Sequence, residues 1–240
     1  MKAIQFSEPW KVQCIDTAEP TAKEGEALIR VRSAGICGSD IGAYRGTNPL
    51  VSYPRIIGHE IAGEVLSIPE NNPRGIRVGD HVIVDPYLYC GKCYPCSIGR
   101  TNCCTSLNVL GVHVEGGMCE TFAHPADMLW KLPEDMPWDL APMAELTIAL
   151  HGIHRGGLKA GEHVAIIGAG PIGLLAAMAA IAYGAHPIVI DLVEERLELA
   201  RSLGVEKTVN SSNQDPVEEV SKLTNGSMAE LVMECSGANA

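Results

Sequence analysis

The sequence predicts a two-part chain that is β-rich at first and then α/β, with the parts at 1–150 and 151–240. Three observations carry this. The first part holds short apolar–charged alternations separated by Gly/Pro-punctuated loops. The second alternates short β-branched runs with helix-forming runs, the pattern of a parallel sheet with helices on both faces. A glycine cluster, Gly168-Ala169-Gly170-Pro171-Ile172-Gly173, stands where the first of those strands turns into a helix.

The elements follow in order. Ala27–Ser33 alternates as a half-buried strand does; Ile61–Ile68 is a second strand, and His81–Val84, opened by the turn pair Gly79-Asp80, a third. Residues 86–109 read as one long loop holding five cysteines, a length that needs an outside organiser. Pro133 and Pro137 mark a break, and Asp139 is placed to cap a helix running toward His151. Strands then fall at Val164–Ile167, Pro187–Ile190, Thr208-Val209 and Leu231–Met233, with helices over 171–184, 194–203 (closed by Gly204) and 215–224. Val164 to Ala185 carries no charge and is long enough to span a bilayer, but its glycines and Pro171 split it into a strand and a helix.

Composition narrows the function. The 240 residues are 46% apolar and 20% charged, which excludes wholesale disorder. The net charge of −11 argues against nucleic acid and against an electrostatic membrane anchor. No apolar export segment precedes Glu8 and Pro9, so a cytoplasmic location is expected, and the nine cysteines read as thiols or metal ligands rather than a disulfide framework.

Three motifs carry chemistry. Cys90, Cys93 and Cys96, with either Cys103 or Cys104, supply four thiolates within a short span, enough to close a tetrahedral structural zinc site and organise the 86–109 lobe. In the glycine cluster the first glycine allows a tight turn. The second lets a pyrophosphate approach the backbone, and the third packs helix on strand. Asp191, at the end of the next apolar run, is placed to accept ribose hydroxyls and repel a 2′-phosphate, which favours NAD. No Lys or Arg follows it immediately. Arg196 comes on the next helix and completes the candidate cofactor set of Gly168, Gly170, Pro171, Ile172, Gly173 and Asp191. The third motif is dispersed: Cys37 in Gly35-Ile36-Cys37-Gly38-Ser39-Asp40, and His59-Glu60 after Gly58, offer the Cys, His and carboxylate of a catalytic zinc.

With GICGSD (35–40), IGHE (57–60), GDHV (79–82), the four-Cys lobe, GVHVEGG (111–117) and GAGPIG (168–173) in this order, the chain resembles the zinc-dependent medium-chain dehydrogenase/reductase family. That family includes alcohol, sorbitol and threonine dehydrogenases. CGKCYPCSIGRTNCC and YPRIIGHE resemble its bacterial polyol and sugar-acid branch, with L-galactonate, L-idonate and starvation-sensing dehydrogenases. The resemblance implies a GroES-like catalytic domain followed by a Rossmann domain. It implies Cys104 as the fourth lobe ligand, and Cys37 and His59 as catalytic zinc ligands. Glu60 and Glu145 would lie at or near that metal, Ser39 would take the substrate proton, and Asp40 would orient a ligand. It also implies two zinc ions, NAD, a polyol or sugar-acid substrate and a homo-oligomer, dimer or tetramer. Where many relatives carry a proton-relaying His, this chain has Gly42, and Leu146 follows Glu145 where many have Pro.

Members of the family are longer, so the Rossmann half is expected to be truncated after Glu234-Cys235-Ser236-Gly237, with an exposed sheet edge. Two alternatives stand beside the NAD dehydrogenase. One is a non-catalytic zinc protein that keeps the fold, and the other an NADP-dependent aldehyde or quinone reductase, which Asp191 disfavours.

Overall fold

The computed structural model describes residues 1–141 and 144–237, the side chains of Ala144, Glu145 and Leu146 excepted. The chain divides into two compact units, Met1–Met143 and Ala144–Ala240. The division falls earlier than the expected 150/151 because the helix Ala144–Gly156 belongs to the second unit: its Ala149 and Ile153 pack with Ala176, Ala177 and Ala180 of the helix Pro171–Ala182.

The first unit is built on a five-stranded antiparallel sheet. Its strands lie in the order Leu129–Lys131, His81–Val84, Ile61–Ser67, Glu26–Ala34 and Thr121–Pro125. Period-two alternation does its ordinary work here: Ala27 and Ile29 go inside while Arg30 and Arg32 stay in water. With Ile61, Val65, Val82, Val84, Phe122 and Leu129 they make the core. The N-terminal hairpin, Lys2–Glu8 with Lys11–Asp16, forms a second sheet with Arg55–Ile56. Sequence patterning did not show that hairpin, the helix Gly38–Arg45 or the strands Thr121–Pro125 and Leu129–Lys131. The strands Thr121–Pro125 and Leu129–Lys131 pair with remote partners, as with Glu26 against Pro125. The expected helix from Asp139 is also corrected: residues 138–141 form turns, and the described helix is Ala144–Gly156.

The second unit is a four-stranded parallel sheet in the order Lys207–Asn210, His186–Asp191, His163–Ile167 and Leu231–Glu234, the last an edge strand. Helices pack on both faces, as expected of a parallel sheet, with Val232 of the edge strand left exposed. Val164, Ile166 and Val189 face the helices Ala144–Gly156, Pro171–Ala182 and Glu194–Ser202, while Ala165, Ile188, Ile190 and Val209 face Val220 of the helix Pro216–Leu223. Among the described residues no helix is long and apolar enough to cross a membrane.

Candidate active site and metal centres

Residues 86–109 are more regular than the single loop expected. They hold a strand pair, Tyr87–Leu88 with Asn108–Val109, a short helix Tyr94–Ser97 and a 3-10 turn Thr101–Cys103. These bring Cys90, Cys93, Cys96 and Cys104 together, with their sulfurs all within 4.8 Å of one another. Cys104 is buried and accepts from the amides of Cys90 and Ser106, each at 3.3 Å, whereas Cys103 is exposed. Amides of Cys96 and Thr105 hold the Cys93 thiol down to about 6. Desolvation and then the Cys93 neighbour push Cys96 up to about 12. Four sulfurs this close cannot all be anions unless a cation sits among them, so the donor set fits a closed zinc site.

Cys37, His59 and Glu60 also converge within 4.8 Å. Cys37 precedes the helix Gly38–Arg45, and His59 and Glu60 precede the strand Ile61–Ser67. Asp40, on the helix and buried, accepts from the Cys37 amide through its Oδ2 at 2.9 Å. Its Oδ1 lies 3.7 Å from His59 Nδ1, a buried atom with no hydrogen-bond partner. That leaves Nε2 as the nitrogen for a metal. Ser39 Oγ stands 3.4 Å from Nε2. Burial pushes both the Cys37 thiol and the Asp40 carboxyl up, the latter against the pull of His59. A half-buried thiol and imidazole beside a buried carboxylate suit a divalent cation, which would favour the deprotonated ligands. Asp40, grouped with the candidate catalytic residues and expected to orient a ligand, is buried and takes the Cys37 amide, a placement that suits orienting.

Glu145 lies in the helix Ala144–Gly156, but its side chain is outside those described. Gly35 has a role that motif reading passed over. A Cβ there would fall 2.2 Å from Glu60 Oε2, so the missing side chain makes room for the carboxylate. A glycine two residues before a ligand cysteine is the signal that could have shown it.

In the second unit the glycine turn sits between the strand His163–Ile167 and the helix Pro171–Ala182, with Pro171 opening the helix and Ile172 following it. A Cβ at Gly173 would lie 1.8 Å from Gly168 O, so that glycine is required by packing. Gly170 differs. Its φ is −78°, open to any residue, and nothing lies within 4 Å of a Cβ built there. Neither strain nor packing asks for glycine at 170.

Asp191 ends the strand His186–Asp191. Its Oδ2 accepts from the Ala169 amide at 2.7 Å and its Oδ1 from the Val193 amide at 2.8 Å. Burial raises this carboxyl, but the two amides and Arg196 outweigh that and hold it below its ordinary value. Sequence reading left Asp191 without a nearby cation. The structure corrects this: one helical turn carries Arg196 Nη1 back to 3.6 Å from Asp191 Oδ2.

A thiolate lobe and a Cys–His–Glu cluster in a β-rich unit, with a dinucleotide-type glycine turn on a parallel sheet, define a zinc-type dehydrogenase. Comparison with known proteins agrees. Residues 23–134 match the alcohol dehydrogenase GroES-like domain and residues 171–240 the zinc-binding dehydrogenase domain. An uncharacterized zinc-type alcohol dehydrogenase-like protein of Haemophilus influenzae is 57% identical over 240 residues, 100% of this chain and 70% of that protein. The L-galactonate-5-dehydrogenase of Escherichia coli is 38% identical over 220 residues, 91% of this chain and 64% of its own length. A crystal structure of the alcohol dehydrogenase RspB from Escherichia coli, complexed with NADH, superposes with a TM-score of 0.89 at 40% identity, covering 99% of this chain and 70% of that one. The chain thus spans 64% to 70% of the length of these relatives. It belongs to the zinc-dependent medium-chain dehydrogenase family and is an alcohol dehydrogenase-like oxidoreductase by descent.

Proposed function

We propose that this chain carries the metal site and the dinucleotide turn of an NAD-dependent dehydrogenase that oxidises a secondary alcohol of a polyol or sugar acid. The observation that carries the reading is the convergence of Cys37, His59 and Glu60 within 4.8 Å, with the Ser39 hydroxyl 3.4 Å from His59 Nε2. When bound, zinc supplies Lewis-acid polarisation of an alcohol oxygen and the nicotinamide a hydride acceptor. Cys37, His59 and Glu60 hold the metal, and Asp40 keeps the Cys37 and His59 segments in register. Ser39 takes the substrate's hydroxyl proton. Gly168 and Gly170 admit the pyrophosphate to the backbone amides of the turn.

NAD is favoured over NADP by the Asp191 carboxylate. Its two oxygens keep lone pairs for ribose hydroxyls beyond the two amide bonds already made. Arg196 weakens this preference without reversing it, since it is paired to the same carboxylate. The substrate class draws support from the L-galactonate-oxidising relative.

The test is a turnover screen of the whole protein against hexonates, pentitols, hexitols and L-threonine, with both cofactors. Expected is NAD-dependent oxidation of a hexonate or polyol, with NADP at least about tenfold poorer in kcat/KM. Turnover of L-threonine alone would overturn the substrate class, and equal use of NADP the cofactor choice.

A further inference from the structure

The loop 111–117 supplies no metal ligand, yet it is clamped to the segment that delivers His59 and Glu60. The Ile56 amide donates to Glu115 Oε2 at 2.6 Å. Arg55 Nη1 pairs with Glu115 Oε1 at 3.2 Å, and Arg55 Nη2 donates to Ser52 Oγ at 2.8 Å. The backbone after Glu115 continues the clamp. The amides of Gly116, Met118 and Gly117 donate to the carbonyls of Ile56, Ile57 and Gly58 at 2.7, 2.9 and 2.9 Å. Three successive carbonyls leading into His59 are thus held by one segment.

The fit leaves no slack. A Cβ at Gly116 would lie 2.3 Å from Ile57 O, and one at Gly117 2.6 Å from Ile61 Cγ1. Residue 58 is thus held through its carbonyl, and the next residue is the ligand. The clamp's charge pair is lopsided: the Arg55 side chain is only 12% exposed and its Nε has no partner, while Glu115 is 56% exposed. A half-exposed pair contributes little to global stability. Its geometric effect, passed along a stiff backbone of three residues, falls on the metal ligands.

We propose that Glu115 is a positioning residue for the catalytic metal. Its carboxylate orders Arg55–Ile56 and, with the Gly116–Gly117 amides, sets the direction in which His59 and Glu60 project. The proposal rests on the reading of Cys37, His59 and Glu60 as metal ligands.

The experiment uses the full chain loaded with cobalt(II), whose visible absorption reports thiolate and imidazole ligation. Bands absent from Cys37→Ser belong to this site. The variants are Glu115→Ala, which removes the clamp, and Glu115→Gln, which keeps an oxygen for the Ile56 amide but loses the charge. Expected is loss of cobalt from this site to a chelator about tenfold faster in Glu115→Ala, with altered band positions. Glu115→Gln should fall in between. Metal retained by the four-Cys lobe and the thermal midpoint should match wild type. Wild-type release and bands in the variants would overturn the proposal, as would parallel loss of lobe metal, which marks a merely structural role. If Glu115→Ala does not fold, Glu115→Gln decides by the same criteria. A wild-type chain with no cobalt bands dependent on Cys37 would overturn the metal reading itself, and the proposal with it.

Discussion

In the second unit, the glycine turn, the helix it opens and Asp191 lie on one strand–helix–strand run from His163 to Asp191. In the first unit, the metal cluster is gathered from Cys37 and from His59-Glu60, segments joined across the chain by the Gly35 amide on Glu60 O at 2.8 Å and by the pairing of Ala34 with Ile61. The second kind of site is made by local geometry and survives as long as its turn does. The first depends on contacts between residues far apart in the chain, so it can fail while each of its pieces stays sound.

The comparison is best broken at the four-Cys lobe, where fold and metal are one event. Cys93→Ser should give the largest effect: loss of about one zinc per chain by elemental analysis and a large fall in the first unit's thermal midpoint. Cys103→Ser, at the exposed neighbouring thiol, should change neither.

Next in size is Cys37→Ser. It should remove the second metal and at least about a thousandfold of turnover, an interaction worth roughly 4 kcal/mol in the transition state. The thermal midpoint should stay within a few degrees of wild type. A variant that keeps turnover would sink the assignment of Cys37.

The glycine turn offers a sharper contrast within five residues of chain. Gly173→Ala places a methyl against Gly168 O and should cost about 3 kcal/mol or more by denaturant unfolding. Gly170→Ala meets open space and should cost less than about 1 kcal/mol. Its NADH affinity, by fluorescence titration, should nevertheless fall by about tenfold or more. Unchanged affinity there would mean that the second glycine serves no ligand.

The smallest effect is a pH dependence that both units share. Burial lowers His124, whose Nε2 reaches Asp85 O at 2.9 Å, and burial and then Lys207 lower His163. A histidine with a folded value below its unfolded one contributes stability that is fully present above the ordinary value near 6.5 and is lost as pH falls through the folded value. Unfolding midpoints should therefore decline below about pH 6.5. The slope should be shallower in His163→Gln, and a midpoint rising on acidification would reverse the sign.

How much was legible follows from the same contrast. His81–Val84 was read to the residue, and the strands and helices after 160 to within a residue or two, because alternation and glycine punctuation are local. The lobe's thiols were legible as a spacing. The choice of Cys104 over Cys103 needed the family resemblance, and burial of Cys104 then gives its physical basis.

By itself, then, the sequence determined the order of the two units, the donor atoms available to metal and the turn offered to a dinucleotide. All of these are set by residue type and short-range spacing. Only the tertiary structure decided that Asp40 is buried against the Cys37 amide, that Arg196 returns to Asp191, that residues 138–141 form turns, and that Gly35 and Glu115 serve the His59–Glu60 segment. The physical reason is distance along the chain. Each of these outcomes depends on backbone or charge brought back from another turn, strand or loop, and residue type and spacing do not fix which groups will then face one another.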